Sequence, residues 1–204
     1  MLIGSNTLKI VAIILPTLIV TQVGCIGPSG TEPVRVTSTS EWVAISKPGA
    51  AHQLLDPFAG EWDLKISHYS KPDVAPSVSR GTSKVSWILG DRFLQEDLTG
   101  EIDGEKFIGV GLMGYDNSKR KFTTVWVDNM NTAIADSEGD YSTEQHLFTF
   151  TSKIWDPLVG RERQSKSTVR LVSEDKYIFT SFDKAAYGED VRVFEIEYLK
   201  KQAR

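Results

Sequence analysis

From residue 60 to the C-terminus the chain breaks into short runs rich in Val, Ile, Thr, Phe, Trp and Tyr, each bounded by Gly, Asp, Asn, Ser or Pro. Such runs read as β-strands, because β-branched and aromatic side chains suit a pleated, half-buried surface and the bounding residues suit turns. Ten strands are predicted, over 62–69, 78–89, 93–99, 106–115, 122–128, 132–141, 146–155, 165–172, 177–183 and 191–200. Asp103-Gly104 is a strong hairpin signal, since a two-residue turn needs the positive φ that Asp and Gly tolerate. Residues 89–92, 115–118, 141–144 and 173–176 read as further short reversals. Every link is too short for a helical crossover, so neighbours in sequence should pair antiparallel. Ten consecutively paired strands twist far enough to close, and closure removes exposed edges. The expected fold is all-β, a single antiparallel up-and-down barrel of about ten strands, with a two-sheet sandwich as the alternative. Residues 48–55 (PGAAHQLL) predict one or two helical turns before the first strand, placed to plug one end. No long amphipathic helix is present, which argues against α/β folds with nucleotide sites at sheet ends.

The N-terminal pattern is different. Lys9 and the amino terminus supply positive charge, residues 10–20 (IVAIILPTLIV) are apolar, and residues 21–25 (TQVGC) form a polar exit, which is signal-peptide anatomy. The apolar run is shorter than the roughly 18 to 20 residues a spanning helix needs, and Pro16 interrupts it. The single Cys stands at the end of this segment, and the pattern resembles a bacterial lipoprotein signal in which Cys25 is lipidated and becomes the first mature residue. Gln22 stands where that pattern usually carries Leu, so ordinary signal-peptidase cleavage nearby is the alternative. The expected organisation is a signal peptide over 1–25, a flexible Gly/Pro/Ser/Thr-containing tether over 26–47, and a barrel domain over 48–204. The expected location is the periplasm or the cell surface, with the membrane reached through a lipidated Cys25.

Composition narrows the chemistry. The 204 residues carry 23 Lys plus Arg against 27 Asp plus Glu, so no basic field exists to attract nucleic acid. One Cys and three scattered histidines, His52, His68 and His146, make a Cys- or His-based metal site unexpected, and no cofactor is predicted. Gly-x-Ser-x-Gly, phosphate-loop, dinucleotide and His-Glu-x-x-His motifs are all missing from the sequence.

Gly60-x-Trp62 at the start of the first strand resembles the opening of lipocalin-like (calycin) barrels. That resemblance implies that Trp62 closes one end of the barrel beneath a basic side chain from the last strand, for which Arg192 and Lys200 are candidates. Five separated blocks, quoted in order, extend the likeness. They are His52-x-x-Leu55-x-x-Phe58-x-Gly60-x-Trp62, Trp87-Ile88-Leu89-Gly90-x-Arg92-Phe93-Leu94, Gly111-x-x-Gly114-Tyr115-Asp116-Asn117, Trp126-x-Asp128-x-Met130-x-Thr132 and Ser137-Glu138-Gly139. Together they resemble a bacterial family known as domain of unknown function 1579, over about residues 48 to 200. The resemblance implies a small β-barrel and brings no activity, substrate or catalytic residue. The architecture is also similar to nitrobindin-like haem barrels, but those need an axial His on a late strand, and no His follows His146.

A barrel of this width leaves room for side chains or one small ligand. In 122–128, period-two alternation sets Phe122, Thr124, Trp126 and Asp128 on one face and Val125 and Val127 on the other. If the first face is inward, Trp126 stacks on a ligand while Asp128, Thr132 and Glu138 orient it; if the second is inward, those residues are solvated. The same ambiguity separates Phe93, Gln95 and Asp97 from Leu94, Glu96 and Leu98. The candidate ligand-binding set is Trp87, Gln95, Trp126, Asp128, Thr132 and Glu138. Gly109 and Gly111 share one face and imply room for a bulky neighbour such as Trp126 or Trp87, or for a ligand. Residues 161–166, with Arg161, Arg163 and Lys166, read as a solvated charged edge. Three functions remain open: a monomeric binder of a small apolar or amphipathic molecule, an enzyme using Asp128 or Glu138 as acid or base, and a cell-envelope interaction module with a filled barrel.

Overall fold

The structure is a computed structural model that describes residues 32–71, 73–156, 160–183 and 190–202. The expected signal peptide and Cys25 lie outside the described residues. The fold is all-β, a closed up-and-down antiparallel barrel of ten strands of lipocalin-like form with a short helical segment in front. The strands are β1 (Gly60–His68), β2 (Ser77–Ile88), β3 (Phe93–Ile102), β4 (Glu105–Asp116), β5 (Lys121–Asp128), β6 (Ala135–Ser142), β7 (Leu147–Asp156), β8 (Arg161–Ser173), β9 (Lys176–Asp183) and β10 (Val191–Lys200). Each pairs with its sequence neighbour, and β1 closes the ring on β10, with Trp62 opposite Lys200 and His68 opposite Phe194. The sandwich alternative is thereby excluded. Asp103 and Gly104 both take positive φ, 51° and 87°, in the β3–β4 hairpin.

Two predicted boundaries shift for local reasons. The sixth strand begins at Ala135 and not at Thr132, because Asp128 accepts the Met130 N–H at 2.9 Å and the Asn131 side-chain amide at 3.2 Å, which turns the chain out of the ladder. The eighth begins at Arg161, so the expected charged edge is part of a closed wall. Arg163 turns inward there and pairs with Asp156, 2.7 Å from Nε, and with Asp183. Arg161 stays exposed, and Lys166 lies outside, 3.3 Å from Asp190.

The helical segment is longer than expected. Helix α1 (Thr39–Ile45) falls in the stretch read as tether, followed by α2 (Ala50–Gln53) and the 3-10 turn η1 (Asp56–Phe58). Ser38 caps α1 by accepting the Glu41 N–H at 3.2 Å, and Glu41 accepts the Thr37 N–H at 2.7 Å in return. The segment is stitched to the turns at one end of the barrel. Asn117 donates its amide to the carbonyls of Ile45 and Lys47 at 2.8 and 2.9 Å, and Arg92 Nε donates to Ser46 O at 3.2 Å.

Leu55 and Phe58 descend from this segment into the barrel end and are fully buried. Phe58 meets Phe148 and Tyr177 edge-on, with ring centroids 5.6 and 4.9 Å apart. Trp62 beneath them is 1% exposed, and its indole N–H donates to the Phe58 carbonyl at 2.9 Å. Of the two candidate basic partners, Lys200 covers Trp62, with Nζ 5.6 Å from the ring, whereas Arg192 lies over Tyr69 at 4.3 Å. His52 completes the plug. It is buried, accepts the Gly49 N–H through Nδ1 at 3.1 Å, and has its pKa lowered first by burial and then by nearby Arg92.

Replacing Trp62 by Ala removes the largest side chain of this floor together with its hydrogen bond. Trp62→Ala is expected to cost about 3–5 kcal/mol, read from urea unfolding. A loss below about 1 kcal/mol, on the scale of a surface change, would show that the plug does not depend on it.

Candidate functional site

The register decides which face of each strand points inward. Gly60 pairs with Val85, Val85 with Glu96, Glu96 with Gly111, and Gly111 with Trp126, so these residues share the lumen face. The lumen side of β3 is therefore Leu94, Glu96 and Leu98, and that of β5 is Phe122, Thr124, Trp126 and Asp128. Near the plug the interior is solid with Trp62, Phe122, Phe148 and Tyr177. Beyond it a cavity of about 620 Å³ runs from Phe58 and Tyr177 to His68, Asp103, Asp128 and Met130 at the opposite end. Its walls are mostly apolar, with Leu94, Phe107, Phe150, Phe179, Phe194 and Ile196 among them.

Small residues at inward positions leave this room open. A Cβ on Gly109 would stand 2.1 Å from Trp126 Cζ2, and one on Gly111 would stand 3.1 Å from Trp126 Cε3. The indole thus spans both glycines and lies along the wall. Its N–H donates to Asp128 Oδ2 at 2.8 Å, which fixes the ring. On the other side of the barrel the inward positions of β7, β8 and β9 include Ser152, Ser165, Ser167 and Ser181. Ser152 pairs with Ser165 and Ser167 with Ser181, giving a patch of hydroxyls.

Glu96, Asp103 and Asp128 bring carboxyl groups to the cavity wall. Glu96 Oε1 accepts hydrogen bonds from Ser83 Oγ at 2.7 Å and Tyr198 Oη at 3.0 Å. Burial pushes its carboxyl above the ordinary range, opposed by those two bonds and helped by the Asp97 charge. The adjoining Tyr177 and Tyr198 rings stack at 4.0 Å, and burial holds both hydroxyls well above the ordinary phenol range. At the far end Asp103 accepts from Ser77 Oγ at 2.7 Å and sits 3.0 Å from His68 Nδ1. The Ser77 bond, with His68, keeps its pKa low against the effect of burial. Asp128 accepts from Trp126, Met130 and Asn131. No Lys or Arg lines the cavity among the described residues. No group of three or more His, Cys, Asp or Glu among the described residues is placed to hold a metal.

Of the candidate residues, Trp126 and Asp128 stand together on the cavity wall. Trp87 occupies an inward position on β2, but it belongs to the plug, where its indole donates to Asp56 Oδ1 at 3.1 Å. The others are corrected by register. Gln95 lies on the outer face opposite Leu112 and bonds to Asp97, because its neighbour Glu96 takes the lumen side. Glu138 lies opposite Thr123 on the outer face, ion-paired with Lys119 and half exposed, so it cannot act in the lumen. Thr132 is exposed in the β5–β6 loop. Glu96 was missed as a site residue. Its signal is the cross-strand match of Glu96 and Leu98 with Gly111 and Gly109, which needs the register to be seen.

A buried carboxyl with a raised folded-state pKa stabilises the fold where it is protonated, and that contribution is lost as pH rises through the raised value. Glu96→Gln keeps an oxygen that accepts from Ser83 and Tyr198 and cannot ionise. Relative to Glu96→Gln, the wild type should therefore lose stability as pH climbs from about 4 through the raised value, read as melting temperature against pH. Parallel curves for the two proteins would contradict a buried, strained carboxyl.

Among solved structures, fourteen chains match this one. One is a redesigned β barrel, 14% identical, covering 74% of this chain and 96% of its own, with a TM-score of 0.37. Another is the S-type phycobiliprotein lyase CPES from Guillardia theta, 9% identical, covering 76% of this chain and 95% of its own, with a TM-score of 0.48. No curated protein matches the sequence. The model of a protein family of unknown function, DUF1579, matches residues 47–200, which spans α2 and the whole barrel, and the chain belongs to that family.

Proposed function

We propose that this protein is a carrier or sensor that binds one small apolar or amphipathic molecule in the barrel lumen without transforming it. The observation that carries this reading is the cavity itself. Its volume of about 620 Å³ lies within the range of small-molecule sites, and a few polar groups interrupt a mainly apolar lining. Turnover has weaker support. Asp128 is occupied by three donors and Glu138 is outside the lumen, so neither is poised as an acid or base.

A saturable rise in the fluorescence of Nile red, a neutral apolar dye, is expected with the wild type. Ser167→Trp, which adds a large ring to the serine patch without altering the outer face, should weaken that binding about tenfold or more. Its melting curve checks that the barrel still folds. Undiminished dye binding in a folded Ser167→Trp protein would move the site out of the lumen.

The N-terminal signal and Cys25 support a further part of the proposal, that the barrel is exported and held at a membrane by lipidated Cys25, with the residues after it as a spacer. In a bacterial host the full chain should incorporate labelled fatty acid and fractionate with membranes. Cys25→Ala should lose the label. Equal labelling of both proteins would refute lipidation at Cys25.

A further inference from the structure

The lumen is rich in carboxyl groups. Glu96, Asp103 and Asp128 line the cavity with no Lys or Arg on its wall among the described residues, and the inward Arg163 is paired with Asp156 and Asp183. An anionic head group entering such a space meets repulsion in a medium where charges are poorly screened. The three carboxyls are not equally committed. Asp103 is held by His68 and Ser77, and Asp128 by three donors. Glu96 has two hydroxyl donors, both on Oε1, and among the described residues nothing donates to Oε2.

The space beside Glu96 has a defined shape. Gly111 lies between Glu96 on β3 and Trp126 on β5, in register with both. The Cβ that Gly111 lacks would sit 3.6 Å from Glu96 Cβ and 3.1 Å from the Trp126 ring. The indole therefore fills the place of that side chain, and it and the Glu96 carboxyl, which is directed to Ser83 and Tyr198, both line the same cavity. The stacked Tyr177–Tyr198 pair flanks Glu96. A carboxylate next to aromatic faces is the recognition chemistry of an organic ammonium group.

We propose that the lumen selects amphipathic amines, seating the ligand's ammonium at Glu96 Oε2 beside the Tyr177–Tyr198 pair, with the apolar body along the lumen wall that Trp126 lines. This rests on the reading of the lumen as a binding site. The ammonium donates an N–H to the Glu96 carboxylate, and any proton the carboxyl carries passes to solvent as the cation arrives. The pair then relieves the cost of ionising a buried carboxyl, which no cation among the described residues offsets.

The test is a titration of the full-length wild-type protein with n-octylamine, n-octanol and n-octanoate by calorimetry, with the same ligands offered to Glu96→Gln and Glu96→Asp. Octylamine should bind the wild type about tenfold or more tighter than octanol, and octanoate should bind more weakly than octanol. Glu96→Gln should bring octylamine to within about threefold of octanol while octanol binding is kept. Glu96→Asp keeps the charge and draws it back along the side chain, so octylamine should stay ahead of octanol by a smaller factor than in the wild type. Wild-type binding of octanol equal to or tighter than octylamine would overturn the amine assignment and leave lumen binding standing. Failure of all three ligands would overturn both. Should Glu96→Gln not fold, the wild-type order and Glu96→Asp decide the matter.

Discussion

Closing ten antiparallel strands into one ring makes an interior wider than the inward side chains fill, and the rest of the molecule answers that constraint. At one end the answer is to fill. Leu55, Phe58, Trp62, Phe148 and Tyr177 meet there as a dense aromatic floor, and the helical segment supplies two of the five. Elsewhere the chain does the opposite and places glycine or serine at positions where a large side chain would close the space. Gly109 and Gly111 let Trp126 lie along the wall, and the paired serines of β7, β8 and β9 keep the other side open. The β1–β10 ladder makes both outcomes possible, since it fixes which side of each strand faces in.

Polar groups inside the lumen are dealt with one at a time. A buried charge is costly unless it is paired or well hydrogen-bonded. Arg163 has Asp156 and Asp183, Asp103 has His68 and Ser77, and Asp128 has an indole and two amide donors. Glu96 stands apart, with hydroxyl donors to a single oxygen, and burial raises its pKa against those two bonds. Uncompensated carboxyls in an otherwise apolar cavity are where proteins keep recognition chemistry.

The strand pattern was legible along most of the chain, because turn residues mark nearly every reversal; Asp103-Gly104 even announces its backbone conformation. The lipocalin-like opening also carried through to Trp62 and Lys200. What alternation could not supply was the sign of each face. Ile108, Val110, Leu112, Val125 and Val127 are apolar and lie outside, while Glu96 and Asp128 are charged and lie inside, so hydropathy does not mark the interior of this barrel. Gln95 and Glu138 were placed on the wrong side for that reason. Helix α1 had a readable start in Ser38 and Glu41, hidden in a stretch that composition alone marks as a tether. Thr132 was drawn into a strand because the side-chain turn at Asp128 has no apolar signature.

The central claim is that the lumen holds one small molecule. Native mass spectrometry of the full-length protein, purified from its host and kept from organic solvent, tests it most directly. The account predicts a reproducible non-covalent adduct at one per chain, released on denaturation and carrying a basic nitrogen. A spectrum showing only the ligand-free mass in every preparation would contradict it, and a barrel that serves as an interaction module would then be the better account.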